Sequence, residues 1–485
     1  MSIRFLFVFL IVLLNSSCAP TDAPTDQNPR LALTDCVLTS PRVQQQVDAQ
    51  CGTLAVQENP SDPQGRQIML HVAVVPAIRR SPEPDPLFIL VGGPGQSAIE
   101  TFPAIYSTLF RIHEEREIVL VDQRGTGESN PLRCLDPADE TLIDNEQAIA
   151  LLKACPENLD ADLRFYATDI AMQDLDSVRA ALGYETINLY GVSYGTRAAL
   201  VYLKSFPNRV RSMVLDAVVD PSFVLYEHAA QDGQRALDLF FERCAADSDC
   251  SSTYPDLRAE FDSLISELDA SPANVTLPHP VNAKPLELTI TRTTFANIIF
   301  NSLYVPELVA MLPLVIHQAS TEGNYAPLIT QAYLADAGIY DGMFYAVACT
   351  EDAPLLTQAE TEPQSADSLF GHNTQMFLEV CQAWPKGEPS PVLREPVDSD
   401  VPVLLLSGKA DPITPPRHAE QLVPSLSNSL HLVFDGMGHG NSAGQCGAKI
   451  LDRFIESASL DDLEVACAEN VEPPPFFVDF SGPQP

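Results

Sequence analysis

The chain has 485 residues, of which 45% are hydrophobic and 19% are charged. This composition excludes a disordered chain and a coiled coil, and the length is sufficient for a full hydrophobic core. Asp and Glu number 65 against 28 Lys and Arg, which gives a formal charge of −37. Because a strongly negative field repels phosphate, we expect no nucleic-acid partner.

The N-terminal segment has the pattern of an export signal. Arg4 precedes an unbroken apolar run, Phe5–Leu14, that is too short to span a bilayer. We predict a signal peptide at residues 1–17, a linker at 18–35 and an exported protein, periplasmic or extracellular. Cys18 resembles the lipidated cysteine of bacterial lipoproteins. We therefore predict membrane attachment through Cys18, with ordinary signal cleavage as the alternative.

The cysteine count indicates disulfide bonds. Eleven cysteines are present, and setting Cys18 aside leaves ten, an even number. An even set in an exported chain favours disulfides, although sequence alone does not fix their connectivity. Pairing of near neighbours is our hypothesis: Cys36–Cys51, Cys134–Cys155, Cys244–Cys250, Cys349–Cys381 and Cys446–Cys467. No Cys or His cluster has the spacing of a zinc site, so we expect no metal.

Apolar strands alternate with helices through the first half of the chain. This alternation is typical of a parallel sheet that is covered by helices on both faces. The predicted strands are Ile68–Val75, Pro86–Val91, Glu117–Val121, Thr186–Tyr190 and Met213–Val219, and the predicted helices are Thr168–Leu182 and Tyr194–Ser205.

The alternation stops near residue 221 and resumes with strands at Val401–Leu406 and Leu430–Phe434. Since one βαβ unit needs only about 30 residues, most of this gap is predicted to be an inserted module. We predict a mainly helical cap over the C-terminal edge of the sheet, where open α/β sheets bind their ligands. The predicted division is a core at 36–220 and 401–470, a cap at 221–400 and a surface tail at 471–485.

The predicted nucleophile is Ser193, which lies in the G-x-S-x-G sequence Gly191-Val192-Ser193-Tyr194-Gly195. This motif places a serine on a sharp, strained turn between a strand and a helix, and its glycines remove side chains that would clash there. The predicted strand before the motif and the predicted helix after it provide that context.

A serine hydroxyl needs a base, and the base needs an acid to orient it. His439 is the predicted base because it follows the last strand in a loop of small residues, whereas His418 lies in an apparent helix and His431 in a strand. Asp411, which follows the VLLLS strand, is the predicted acid, with Asp220 as the alternative. The resulting chain order, serine, acid, histidine, is the order expected for this strand-turn-helix motif.

Acyl transfer also needs two N–H donors for the oxyanion. The backbone N–H of Tyr194, directly after the nucleophile, is the first predicted donor. The second belongs to the Gly92-Gly93-Pro94-Gly95 loop after the PLFILV strand. Pro94 has no N–H, so we assign this donor to Gly93.

Five motifs in this order carry a family resemblance. They are GGPG at 92–95, DQRGTGES at 122–129, GVSYGT at 191–196, KADPITPP at 409–416 and GMGHG at 436–440. Together they resemble the prolyl iminopeptidase and tripeptidyl aminopeptidase family of α/β-hydrolases, in its exported, cysteine-rich branch with a TAP-like C-terminal module. The resemblance covers nearly all of residues 36–470. One departure is Val91, where some members carry His or Pro before GGPG.

The resemblance implies an α/β-hydrolase fold and a serine aminopeptidase that needs no cofactor. Its expected partners are peptides with a free N-terminus, from which it would remove proline or a short segment. Such an enzyme needs carboxylates in a cleft to bind the α-ammonium group. Glu351 and Asp352 are the predicted anchors, with Glu227 as a weaker candidate and a solvated acidic surface as the alternative. A carboxylesterase of the same fold and an inactive binding module are the rival functions.

Overall fold

The computed structural model describes residues 31–135, 145–280, 283–335, 337–356 and 368–483. The predicted signal peptide, Cys18 and most of the predicted linker lie outside the described residues. Within those ranges, the helices are all too short or too polar to cross a membrane.

The centre of the fold is a mostly parallel sheet. The strands are β1 (Thr34–Leu38), β2 (Val47–Gln57), β3 (Gln67–Val75), β4 (Leu87–Leu90), β5 (Ile118–Val121), β6 (Ile187–Val192), β7 (Val210–Asp216), β8 (Ala273–Pro278), β9 (Pro285–Ile290), β10 (Val403–Gly408) and β11 (Ser429–Phe434). Nine of them form one sheet in the order β1-β2-β3-β5-β4-β6-β7-β10-β11. The strands from β5 to β11 in that order pair in parallel, whereas β1, β2 and β3 pair antiparallel and join the rest through β5.

The central strands are buried on both faces because they are continuous apolar runs. Every residue of β4 (LFIL) and β5 (IVLV) is buried, which fits strands in a parallel sheet covered on both sides. Successive side chains point to opposite faces. Phe88 accordingly belongs to one hydrophobic cluster and Ile89 to the other.

Helices cover both faces of this sheet. Their bounds are α1 (Ala98–Glu115), α2 (Asn145–Ala154), α3 (Thr168–Leu182), α4 (Tyr194–Ser205), α5 (Ala229–Ala246), α6 (Ser248–Thr253), α7 (Leu257–Ala270), α8 (Arg292–Ser302), α9 (Pro306–Glu322), α10 (Ala326–Ala335), α11 (Asp341–Glu351), α12 (His372–Ala383), α13 (Arg417–Leu422) and α14 (Gln445–Ser457). Phe102 of α1 and Phe454 of α14 are buried on one face, and α3 and α4 pack on the other. The predicted α/β class, a mostly parallel sheet flanked by helices, is confirmed.

The segment between β7 and β10 is mainly helical. Helices α5 to α10 and the antiparallel β8–β9 hairpin pack around a separate hydrophobic cluster that includes Phe240, Phe261 and Phe295. Helices α11 and α12 also lie within the predicted cap, yet their side chains, such as Val347 and Phe377, pack into the sheet-side cluster of α3 and α4. The C-terminal part of the predicted cap therefore belongs physically to the core.

Five disulfides join the near-neighbour cysteine pairs that the sequence analysis proposed. Cys446–Cys467 ties the start of α14 to the segment that precedes the C-terminal tail. The C-terminal tail, which was predicted to lie on the surface, places one buried ring in the hydrophobic cluster of the cap. Phe476 is only 2% exposed, because its ring packs against the Phe240 ring of the cap, with 6.0 Å between the ring centres. The Arg243 guanidinium lies over the Phe476 ring, 3.9 Å from the ring centre.

Candidate active site

Ser193 occupies a strained turn between β6 and α4. Its φ of 56° and ψ of −126° are unusual for a residue with a side chain. A Cβ at Gly195 would lie 2.0 Å from the carbonyl oxygen of Leu90, and one at Gly191 would lie 2.6 Å from the carbonyl oxygen of Gly195. The two glycines of the motif are therefore required by close backbone contacts, as the motif predicts.

Asp411 and His439 meet at the same edge of the sheet. Asp411 follows β10, His439 lies in the loop after β11, and His439 Nδ1 is 2.8 Å from Asp411 Oδ2. The backbone N–H groups of Ile413 and Thr414 donate to the other carboxylate oxygen at 2.9 and 2.8 Å. The Thr414 hydroxyl donates to Oδ2 at 2.8 Å. The carboxylate is thus held on both oxygens and presents one of them to the imidazole.

The pKa values of this pair shift in opposite directions. Burial alone would raise the pKa of Asp411, but the charge of His439 and the hydrogen bonds from His439, Ile413 and Thr414 lower it to about 2. Burial alone would lower the pKa of His439, but the charge and hydrogen bond of Asp411 outweigh burial and raise it. Asp411 is therefore a stable anion that favours a protonated imidazole.

The cap segment covers His439. The backbone N–H of His439 donates to the carbonyl oxygen of Tyr304 at 2.9 Å, and the Tyr304 ring packs edge-on against the imidazole with 4.9 Å between ring centres. Tyr304 lies between α8 and α9, so the cap contributes directly to the position of the histidine.

The Ser193 hydroxyl has no hydrogen-bond partner among the described residues. Catalytic hydrogen bonds are often long in enzymes without substrate and shorten when it binds. The structure therefore places Ser193, His439 and Asp411, the predicted nucleophile, base and acid, at one edge of the sheet, with the His439–Asp411 contact formed. Asp216, next to Ser193 on the neighbouring strand, contacts both the Ser193 backbone and the loop that carries His439.

Two backbone N–H groups remain available near Ser193. The N–H of Gly92 donates to Gln96 Oε1 at 2.9 Å, whereas the N–H groups of Gly93 and Tyr194 have no partner among the described residues. Gly93 has a φ of +104°, a conformation that glycine adopts without strain. A Cβ on Gly92 would lie 3.1 Å from Ser193 Cβ, so this loop lies directly against Ser193. Such an arrangement fits an oxyanion hole.

Comparison with known proteins identifies the family to which this fold belongs. Residues 85–281 match the family model described as the alpha/beta hydrolase fold, and residues 367–467 match the model described as TAP-like protein. The chain is an α/β-hydrolase. It is 28% identical over 447 residues to the serine protease Hip1 of Mycobacterium tuberculosis, covering 84% of each chain. It is 26% identical over 466 residues to the tripeptidyl aminopeptidase of Streptomyces coelicolor, covering 88% of this chain and 84% of the relative.

A shorter similarity links this α/β-hydrolase to the proline iminopeptidase of Arabidopsis thaliana. That match is 28% identical over 208 residues and covers 43% of this chain and 42% of the relative. The resemblance given by the five motifs, to the prolyl iminopeptidase and tripeptidyl aminopeptidase family, is confirmed by these relatives.

Glu351 and Asp352 do not face an open cleft. Both side chains are almost fully buried. Arg197, one turn after Ser193 in α4, bonds both oxygens of Asp352 at 2.9 and 3.0 Å, and Arg394 adds a third bond at 2.8 Å. Glu351 accepts from the Thr168 backbone N–H at 2.7 Å and from its hydroxyl at 3.0 Å.

Both carboxylates therefore bind groups of this chain, Thr168 for Glu351 and two arginines for Asp352, and neither faces a cleft in which it could bind a substrate ammonium group. Burial is the dominant influence on the pKa of Glu351, which it raises. Burial also acts to raise the pKa of Asp352, but Arg197 and Arg394 outweigh it and lower that pKa.

Glu227 has a different environment. Its side chain is half-buried, and the ionic partner within the described residues is His228 at 3.7 Å. It lines a cavity of about 80 Å³ between the start of the cap segment and α13, together with Tyr226 and Ile413. Of the three predicted anchors, Glu227 is the one whose carboxylate borders an open space close to the Asp411 turn.

The competing catalytic residues form their own contacts. His418 Nδ1 is 2.6 Å from Asp220 Oδ2 in a buried pair beneath the cap, and His431 Nε2 lies 3.0 Å from Ser407 Oγ. Asp220, the alternative acid, thus bonds His418, and His431 bonds a serine of strand β10. The structure brings none of these three residues to Asp411 or His439.

Proposed function

We propose that this α/β-hydrolase is a serine exopeptidase that removes proline or a short N-terminal segment from peptides. The observation that carries the proposal is the Asp411–His439 hydrogen bond, 2.8 Å long. It lies at the sheet edge that also bears the strained Ser193 turn and two N–H groups that have no partner in the described chain. The two relatives named serine protease Hip1 and tripeptidyl aminopeptidase, each matched over most of its length, support peptide bonds as the substrate.

The proposed mechanism uses His439 first as a base and then as an acid. With Nδ1–H bonded to Asp411, Nε2 accepts the Ser193 proton while Oγ attacks the scissile carbonyl carbon. The N–H groups of Gly93 and Tyr194 stabilise the oxyanion. His439 then gives its proton to the leaving amine and the C–N bond breaks, leaving an acyl-Ser193. Water, deprotonated by His439, releases the acyl group and restores the serine.

Glu227 is our proposed contact for the substrate ammonium group. Its support is chemical: the half-buried carboxylate lines a cavity beside the Asp411 turn, and Arg417, a cation that lines the same cavity, forms its ion pair with Asp232. The test compares Glu227→Gln with wild type on one peptide anilide, with its amine free or acetylated. A specific loss of kcat/KM on the free amine supports the contact. An equal effect on both substrates contradicts it.

The peptidase proposal is tested separately from the triad. The purified mature chain is assayed on a series of aminoacyl and tripeptidyl anilides with free amines, on their N-acetylated forms and on p-nitrophenyl esters. We expect most activity to be lost on acetylation. Indifference to acetylation together with a preference for esters would replace the proposal with a carboxylesterase.

We further propose that the protein is exported and attached to the membrane through a lipid on Cys18. The five disulfides support an oxidising compartment. The test is fractionation of cells that express the full chain or Cys18→Ser. Release of the variant from the membrane fraction supports the anchor, and identical distribution of the two proteins rules it out.

A further inference from the structure

Asp216 is a buried carboxylate whose charge is not balanced by an arginine or lysine of the described chain. It is the last residue of β7 and is fully buried. Other buried aspartates, such as Asp85 and Asp174, each pair with an arginine at 3.0 and 2.7 Å. A buried anion without a cation is costly unless hydrogen bonds replace its hydration. The contacts that Asp216 makes instead therefore indicate why the residue is there.

Those contacts all belong to the loop that follows His439. The Asn441 backbone N–H donates to both Asp216 oxygens at 2.9 and 2.8 Å, and the Ser442 backbone N–H donates to Oδ2 at 2.8 Å. Burial raises the pKa of Asp216, while the hydrogen bonds from Asn441 and Ser442 and the charge of His439 act in the opposite direction. Because both oxygens accept N–H groups, these contacts favour the ionised form of the carboxylate. The side chain thus reaches from β7 past the end of β10 to hold the loop after β11.

The backbone of the same residue holds the nucleophile. The N–H of Ser193 donates to the Asp216 carbonyl oxygen at 2.9 Å. A second connection runs parallel to this one: Tyr190, on the strand that carries Ser193, bonds through its hydroxyl to Ser442 Oγ at 2.5 Å. The loop after His439 is therefore bonded at two buried points to the strands that position Ser193. One bond is to Asp216 at the end of β7, and the other is to Tyr190 of β6.

We propose that Asp216 is a positioning residue, which fixes the His439 loop relative to Ser193 and provides a second negative charge for the imidazolium that forms during acyl transfer. The inference rests on the Ser193–Asp411–His439 chemistry proposed above. The charged and titratable groups around His439 come from four parts of the fold. Asp411 follows β10, Asp216 ends β7, and Tyr304 covers the ring from the cap. Arg235 of α5 contacts the Asp411 backbone.

The first test is Asp216→Asn, which keeps the size of the side chain and removes its charge. Turnover is measured on p-nitrophenyl acetate, so that the result does not depend on the natural substrate. We expect kcat to fall by about 10²-fold from misplacement of the base, with KM nearly unchanged. We also expect the acid limb of the kcat/KM profile to move roughly one pH unit lower, because His439 loses a neighbouring anion.

The matched control is Asp220→Asn, which removes another buried carboxylate from the same segment but one that bonds His418. Its acid limb should stay at the wild-type pH. An Asp216→Asn enzyme with wild-type kcat and a wild-type acid limb would overturn the inference. A drop in kcat without movement of the limb would overturn the electrostatic part of it.

A second variant covers the case in which Asp216→Asn does not fold. Tyr190→Phe removes the parallel connection without changing any charge, so we expect a severalfold lower kcat and an unmoved acid limb. Wild-type kcat in Tyr190→Phe would then contradict the anchoring role. Failure of wild-type enzyme to turn over any ester or anilide would instead contradict the proposed triad itself.

Discussion

At the scale of single residues, the His439–Asp411 contact determines which imidazole nitrogen serves Ser193. Asp411→Asn should allow the wrong tautomer and lower kcat by about 10⁴-fold. Ester turnover measures this, and Asp435→Asn, an exposed aspartate paired with Lys409, is the control with no expected effect. Retained turnover in Asp411→Asn would show that another group orients the base.

The same contact sets the expected pH dependence. Asp411 raises the pKa of His439 above its ordinary value of 6.5, against the opposing effect of burial. A protonated His439 does not accept the Ser193 proton, so kcat/KM should fall as the pH decreases through a value above 6.5. In Asp411→Asn this limb should move to lower pH. A wild-type limb well below 6.5 would contradict the assignment of His439 as the base.

Thr414 is a functional candidate that the sequence analysis did not single out. Its hydroxyl donates to Asp411 at 2.8 Å and lies 3.2 Å from His439 Nδ1. The available signal was its spacing, since a threonine three residues after an aspartate commonly shares a local turn with it. Thr414→Val should lower kcat about tenfold through loss of a charge-assisted hydrogen bond. Thr414→Ser should restore most of the loss, and equal activity of both variants would exclude this role.

Secondary-structure elements were predicted best where the pattern is local. The helices at 168–182 and 194–205 have the predicted bounds, because their periodicity and end signals lie within the element. Strand β7 ends at Asp216 rather than Val219, since the apolar run continues into the loop beneath the cap. Strand β1 was missed because most of its residues are exposed and it has no apolar run.

The nucleophile turn gives a prediction at this scale. Gly195→Ala would place a Cβ 2.0 Å from the Leu90 carbonyl oxygen. The strained turn at Ser193 should therefore not form, and Ser193 should lose its reactivity. Gly444→Ala is the matched control, because its φ of −73° suits any residue and nothing lies within 4 Å of the added carbon. Circular dichroism and labelling by a fluorophosphonate measure the two effects. Normal labelling of Gly195→Ala would contradict the geometry of the turn.

At the scale of the whole molecule, the limits of sequence reasoning are clearest for the acidic candidates. The motif order identified residues from β6, β10 and β11 as a set, because parallel strands end at one edge of the sheet. The pattern Glu351-Asp352, in contrast, carries no sign of burial. Its pairing with Arg197 and Arg394 depends on contacts between segments more than 40 residues apart, which only the folded chain brings together.

The tail connects the two parts of the molecule and yields a stability prediction. Phe476→Ala should lower the free energy of unfolding by about 3 kcal/mol, because it removes a buried ring from the cap cluster. Phe480, which is 63% exposed, provides the control Phe480→Ala with little expected change. Urea denaturation of both variants measures the difference. Equal stability would mean that the tail does not stabilise the cap.

The most direct test of the account is labelling of the purified chain with a fluorophosphonate, followed by mass spectrometry of its peptides. If His439 and Asp411 activate one hydroxyl, the adduct should be found on Ser193, and Ser193→Ala should show none. Ser442→Ala, which changes a buried serine of the histidine loop, should keep the adduct on Ser193. An unlabelled wild-type chain, or an adduct on a different serine, would contradict the assignment of this α/β-hydrolase as a Ser193 enzyme.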